Sequence, residues 1–290
     1  MTAPAETGYW TGAIIYTPSL GPAASLELGA VDSDGTCWVL ADWDGMEGPP
    51  TSGGVVQRAG DHGAYAPPQY YAARPITLTI RAGAQTQALR DAARAKVGAA
   101  IPVSELALFR LDEPIPKVMW VRRSGQIMPN ALTLVDIDLV VGLIAPDPRK
   151  YSATLNQQIA YQGAAAAGLA PPWTPPITLP AGAPPMSVSV TNAGSFETRP
   201  TVVIQGPVTA PRILNQVTGQ TVNYTSLTLG SADQLAVDFL NRTALLNGAA
   251  RPADANSSWW LLPPGTTGVQ LLGTATTGAS LTVLWRDAWI

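Results

Sequence analysis

The chain has 290 residues, beyond the roughly 100–200 of one ordinary domain, so two domains with sizeable cores are the default reading. Charged residues make up 13% and the net charge is −3, which leaves no basic excess for tight nucleic-acid binding or for an anionic membrane surface. A single cysteine, Cys37, and a single histidine, His62, exclude an intramolecular disulfide, a multi-cysteine metal site and most Ser-His chemistry.

Glycine and proline, 27 of each, punctuate the chain too often for long regular elements and point to many short strands. The opening residues Met1–Glu6 lack the basic and apolar regions of a secretory signal, so export by that route is not expected. Asp32-Ser33-Asp34-Gly35 begins like a calcium loop, yet position twelve is Trp43 where a bidentate Glu is needed, and Asp-Gly favours a hairpin turn. Cys37 reads as a small packed hydrophobe. Asp42, Asp44 and Glu47 invite comparison with glycosidase carboxylates, but nothing in the sequence shows a cleft, and a tight loop with Gly45 and Gly48 is the better reading. His62, flanked by Asp61 and Gly63, is expected to make a loop hydrogen bond rather than act as a base.

Ile76, Leu78 and Ile80 alternate with Thr77, Thr79 and Arg81, and Val135, Ile137, Leu139 and Val141 alternate with Asp136, Asp138, Val140 and Gly142. Each is a half-buried strand signature. Between them Leu89, Ala93 and Val97 recur every fourth residue, predicting one helix from about Gln85 to Val97 with Gly98 as its stop. Residues 1–150 therefore read as a β-sandwich with one packed helix. Arg58, Arg74, Arg81, Arg90, Arg94, Arg110, Arg122 and Arg123 are expected in solvated or interface salt bridges.

From Tyr151 to Phe196 no Asp, Glu, Lys or Arg occurs in 46 residues, but seven prolines exclude a membrane helix. Residues 151–185 are assigned as a Pro/Ala/Gly-rich connector. Residues 186–290 form the second domain. There Met186, Val188 and Val190, then Leu235, Val237 and Phe239, then Leu281, Val283 and Trp285 alternate with other residues, separated by turns such as Asn192-Ala193-Gly194 and Asn247-Gly248. This predicts an antiparallel sandwich of jelly-roll or galectin-like type. Trp259 and Trp260 are adjacent; in a strand one would face the core and the other would point out as a platform for glycan or protein. No Walker loop or Gly-x-Ser-x-Gly elbow accompanies these features, so neither catalytic centre, metal site nor cofactor is expected.

Order and spacing carry a more specific signal. Asp42-Trp43-Asp44-Gly45-Met46-Glu47-Gly48-Pro49-Pro50, Gly60-Asp61-His62-Gly63-Ala64-Tyr65, Ala145-Pro146-Asp147-Pro148-Arg149-Lys150-Tyr151 and Gly168-Leu169-Ala170-Pro171-Pro172-Trp173 are followed by Thr191-Asn192-Ala193-Gly194-Ser195-Phe196-Glu197-Thr198-Arg199-Pro200. Ile204-Gln205-Gly206-Pro207, Leu246-Asn247-Gly248, Trp260-Leu261-Leu262-Pro263-Pro264-Gly265 and Trp285-Arg286 continue the series. Together they resemble the distal tail proteins of long-tailed, non-contractile phages.

The resemblance implies a non-enzymatic virion protein, made in the host cytoplasm and placed at the distal end of the tail. It implies a hexameric ring built by the first domain, with the galectin-like second domain projecting outward. Tail tube, tape measure, tail-tip hub and receptor-binding proteins are the implied partners. The alternative is a glycan-binding adhesion module that contacts the host surface through Trp259 or Trp260. Fourteen arginines against three lysines, with 44 alanines, fit a GC-rich coding bias and hence an actinobacterial host.

Overall fold

The computed structural model describes residues 12–20, 25–162 and 186–290. The stretch 163–185, most of the expected connector, lies outside the described residues, as does the expectation for the first residues of the chain. Two compact units result, residues 1–153 and 154–289.

The first unit contains β1 (Ala13–Tyr16), β2 (Leu26–Leu28) and β3 (Cys37–Asp44), then four two-residue strands, β4 (Thr51–Ser52), β5 (Val56–Gln57), β6 (Ala64–Tyr65) and β7 (Tyr70–Tyr71). β8 (Arg74–Gly83), α1 (Gln87–Ala100), β9 (Ala107–Leu111), β10 (Lys117–Ala131), β11 (Asp136–Ala145) and β12 (Lys150–Ser152) complete it. The main strands pair antiparallel in the order β2-β1-β9-β10-β11-β8-β3, and β12 also pairs with β10.

β10 belongs to both halves of this arrangement. Lys117–Val121 pair with β9, whereas Arg122–Ala131 pair only with β11. The register shifts between Arg123 and Ile127, and such a bulge bends a strand and lets it pass from one layer to the other. Gly142 on β11 faces the irregular segment: a Cβ there would stand 2.5 Å from the Ser124 carbonyl oxygen. The two layers close on one core, with Ile15, Leu26, Phe109, Met119 and Val121 from one side and Ile76, Leu78, Ile80, Ile137, Leu139 and Val141 from the other. The period-2 pattern thus selects the buried faces.

The single helix starts where Thr86 caps it, its Oγ1 accepting from the Leu89 backbone N–H at 3.3 Å. It does not stop at Gly98 but runs to Ala100. Ala100 and Ile101 are fully buried, and closing them into the core offsets the cost of about 1 kcal/mol for one helical glycine.

The second unit contains β13 (Asn156–Tyr161), β14 (Ser187–Asn192), β15 (Thr201–Gln205), β16 (Val208–Asn215), β17 (Thr221–Asn223), β18 (Thr228–Leu229), β19 (Gln234–Asp238), β20 (Thr243–Leu246), β21 (Ala249–Ala250), β22 (Gly265–Ala275) and β23 (Ser280–Trp285). One sheet runs β13-β23-β15-β19-β20-β21; the other runs β14-β22-β16-β17, with β18 on β16. Val188, Val190, Ile213, Val222 and Val269 from one sheet meet Val202, Ile204, Leu235, Val237, Leu281 and Val283 from the other. β13 departs from the reading of residues 151–185 as connector: Asn156–Tyr161 pair in full with β23. A run of Gln, Ile and Ala carries no charge yet satisfies its backbone in a sheet. Asn247 and Gly248 both adopt positive φ, 49° and 85°, and join β20 to β21 in a two-residue turn of the kind that matches strand twist.

The described residues are mainly β with one α-helix. Replacing Gly142 by alanine is expected to destabilise the first unit by about 1–3 kcal/mol, because the carbonyl it meets is backbone and cannot swing away. Thr86→Ala should cost about 1 kcal/mol by loss of the cap. Urea unfolding of the two variants checks both, and an unchanged midpoint for Gly142→Ala would remove the bulge argument.

Candidate functional site

The residues singled out for chemistry are not brought together. Asp32 sits before a three-residue turn in which Gly35 has φ 84°, and its carboxylate accepts from Trp38 Nε1 at 2.7 Å and Lys96 Nζ at 2.6 Å. It therefore ties α1 to β3 rather than holding a cation. Asp42, Asp44 and Glu47 are all exposed, and Asp42 accepts from the backbone N–H of Trp43. His62 is exposed as well, and it is its backbone N–H, not the imidazole, that donates to Asp61. Cys37 is a half-buried free thiol. Among the described residues no group of three or more His, Cys, Asp or Glu is placed to hold a metal ion, and no helix is long and apolar enough to cross a membrane.

The arginines divide by environment. Arg81 makes a two-point ion pair with Asp138, 2.7 and 2.9 Å, which holds the Asp138 carboxyl below the usual range. Arg110 pairs with Asp112, and Arg90 with Asp91 and the Leu134 carbonyl. Arg58 lies 3.9 Å from Asp61 and over the ring of Tyr65. Arg74 departs from the expected salt bridge: it is fully buried and donates only to backbone carbonyls.

Trp259 and Trp260 do not occupy a strand, so the expected alternation does not apply. Both lie in an irregular segment and pack on Phe239, with ring centroids 5.3 and 4.3 Å away. Trp260 is 2% exposed and part of the core; Trp259 is half-buried on its rim. Of the two, Trp259 is the one that remains partly exposed.

Sequence reasoning passes over two clusters of exposed apolar side chains. Between β3 and β8 the two short ribbons β4–β7 and β5–β6 expose Val55, Val56, Tyr65, Tyr70 and Tyr71. Two-residue ribbons cannot bury such side chains on themselves, and isolated hairpins are marginal in water. At the tip of the β10–β11 hairpin Met128, Leu132 and Leu134 are likewise exposed, Leu134 at 76%. Beside it a groove of about 360 Å³ is lined by Asp91, Arg94 and Ala95 of α1 and by Ile127, Pro129 and Leu139. The only sequence signal is a scatter of Val and Tyr among Gly and Pro, without a period. Exposed clusters of this kind mark interaction surfaces.

Residues 193–289 match the family model described as the C-terminal domain of a siphovirus-type tail component. No curated protein matches the chain. Among solved structures, the crystal structure of the Dit protein of phage SPP1, described as a paradigm of the hub adsorption apparatus of phages infecting Gram-positive bacteria, is similar in fold. The TM-score is 0.62 at 15% identity, over 87% of this chain and 94% of that one. A chain of the phage p2 baseplate in its activated conformation with Sr gives a TM-score of 0.51 at 9% identity, over 94% and 97%. The resemblance read from the sequence is borne out, by the family model in the second unit and by fold over most of the chain.

Trp260→Ala should cost about 3–5 kcal/mol, as for other fully buried large aromatics, and Trp259→Ala distinctly less; thermal melts with a probe in the second unit separate them. Because Asp138 binds protons less readily when folded, its contribution is complete above the ordinary carboxylate pKa of 3.8 and is lost as pH falls below that toward the depressed folded value. Asp138→Asn should flatten the acid limb of the stability curve, and an acid limb unaltered by the substitution would discount the ion pair.

Proposed function

We propose that this protein is a structural hub of a long, non-contractile phage tail. Copies of the first unit form a ring, hexameric in the family it resembles, at the distal end of the tail tube, and join the tube to tip and host-recognition proteins. The observation that carries the reading is the family match over residues 193–289 combined with the fold likeness to a protein described as a hub. The chain is a component of the virion tail, and no catalytic role is proposed for it.

Physical features support assembly through the first unit. A ring requires two different lateral surfaces that meet head to tail. The ribbons between β3 and β8 and the exposed Met128, Leu132 and Leu134 of the β10–β11 tip offer two apolar surfaces on separate segments. With charged residues at 13%, extensive surface can be covered without leaving ions unpaired. A second reading, in which the second unit also grips host glycan, rests on the partial exposure of Trp259 alone.

Cryo-electron microscopy of purified particles tests the location: density for this chain is expected as a ring at the distal end of the tube, and its absence from the tail tip would overturn the hub. Substituting Val56 and Tyr70 by serine tests the surface. Both side chains are more than half exposed, so the free chain should melt within about 1 °C of the parent while incorporation into tails falls. Normal incorporation would exclude the ribbons from the interface.

A further inference from the structure

Arg74 opens β8 and has no accessible surface. Its Nε donates to the Pro148 carbonyl at 3.0 Å, and its Nη1 donates to the carbonyls of Gly45 at 3.1 Å and Met46 at 2.8 Å. All three acceptors are neutral. Nη2 is buried and has no partner among the described residues, although an orphaned donor on a buried cation is costly.

Lys150 opens β12, two residues beyond Pro148, and is 8% exposed. Among the described residues its ammonium makes neither hydrogen bond nor ion pair. It is near enough to Arg74 for the two charges to repel. Burial first, then Arg74 and Lys117, hold its ammonium below the ordinary lysine range, with Glu113 and Glu47 opposing. The neighbouring carboxylates are engaged elsewhere or exposed. Glu113 binds Lys117 at 2.5 Å, Asp147 accepts from Arg149 and from the Tyr151 hydroxyl, and Glu47 projects from the surface without a hydrogen bond.

We propose that Arg74 Nη2 and Lys150 Nζ form a socket for a small oxyanion or carboxylate. A buried guanidinium nitrogen without an acceptor, close to a largely buried lysine without a counter-ion, is what such a group stabilises. A bound anion supplies the missing acceptor to Nη2, gives Lys150 its counter-ion and removes their mutual repulsion. The group comes either from a free inorganic oxyanion or from an Asp or Glu side chain of a neighbouring protein. The proposal is independent of the hub reading, since both donors lie within the first unit.

The test uses the full-length chain. Melting is followed in sodium sulfate and in sodium acetate against sodium chloride at matched ionic strength, with the Lys150 Cε resonance as a direct probe. One or both anions should raise the parent midpoint by roughly 2–4 °C more than that of Lys150→Met and should shift the Lys150 resonance. Lys150→Arg should keep the response. Glu47→Gln, which removes a carboxylate acting on both Arg74 and Lys150, should bring it on at lower anion concentration. A response to sulfate alone assigns the socket to free oxyanions, and a response to acetate assigns it to carboxylate side chains. Equal responses of parent and Lys150→Met, with an unmoved Lys150 resonance, would overturn the socket.

Discussion

The bend in β10 is the constraint on which the first unit depends. One strand serves two layers, so its first five residues must satisfy β9 and its remainder must satisfy β11. The change of direction requires a residue without a side chain opposite the bulge, because the Ser124 carbonyl occupies the space where the Cβ of residue 142 would stand. Beyond Arg122 the strand has β11 on one side and no β9 on the other, so the hairpin runs past the layer that would have covered it. Met128, Leu132 and Leu134 are exposed for that reason. The core and the uncovered tip have one cause.

Scarcity of charge shapes the second unit in another way. Its turns are held by short neutral or singly charged side chains that bond to backbone and to other side chains. Asn192 is 2% exposed, accepts from the Gly194 and Ala288 N–H groups and donates to the carbonyls of Phe196 and Leu262. Asp254 accepts from both the N–H and the hydroxyl of Thr225. Asp233 accepts from the Gly230 N–H and from Asn247. Such bonds fix loops without long side chains, so little rotamer entropy is lost. They also leave the surface nearly uncharged.

Legibility in the sequence tracks the range of the interactions. Ile76, Leu78 and Ile80, or Leu281, Val283 and Trp285, announce their strands because period-2 alternation is local and burial acts on it directly. Asn247-Gly248 announces its turn because only certain residues accept positive φ. The helix end escapes local reading because the burial of Ala100 and Ile101 is a tertiary fact that overrides the stop at Gly98. β13 is hidden because a charge-free stretch beside a proline-rich one looks like linker, although pairing with β23 needs no charge. Trp259 and Trp260 mislead because alternation presupposes a strand, and their packing on Phe239 depends on a residue about twenty positions away. The apolar ribbons carry no period at all, so they become visible only when exposure is known.

Arginine shows most plainly why residue type alone does not assign a role. Arg81 and Arg74 stand seven residues apart on one strand, with the same charge and the same reach. Arg81 lies half in solvent and meets Asp138 across the sheet, where water screens what the carboxylate does not neutralise. Arg74 points into the protein and meets only carbonyls, so its charge is solvated by dipoles and its burial works against protonation. Carbonyls can satisfy hydrogen bonds but cannot neutralise. A guanidinium with one buried nitrogen still unbonded, beside a largely buried lysine without a counter-ion, therefore leaves a deficit that hydrogen bonding within the first unit has not closed. An external anion closes it without disturbing the three carbonyls that already hold Arg74 in place.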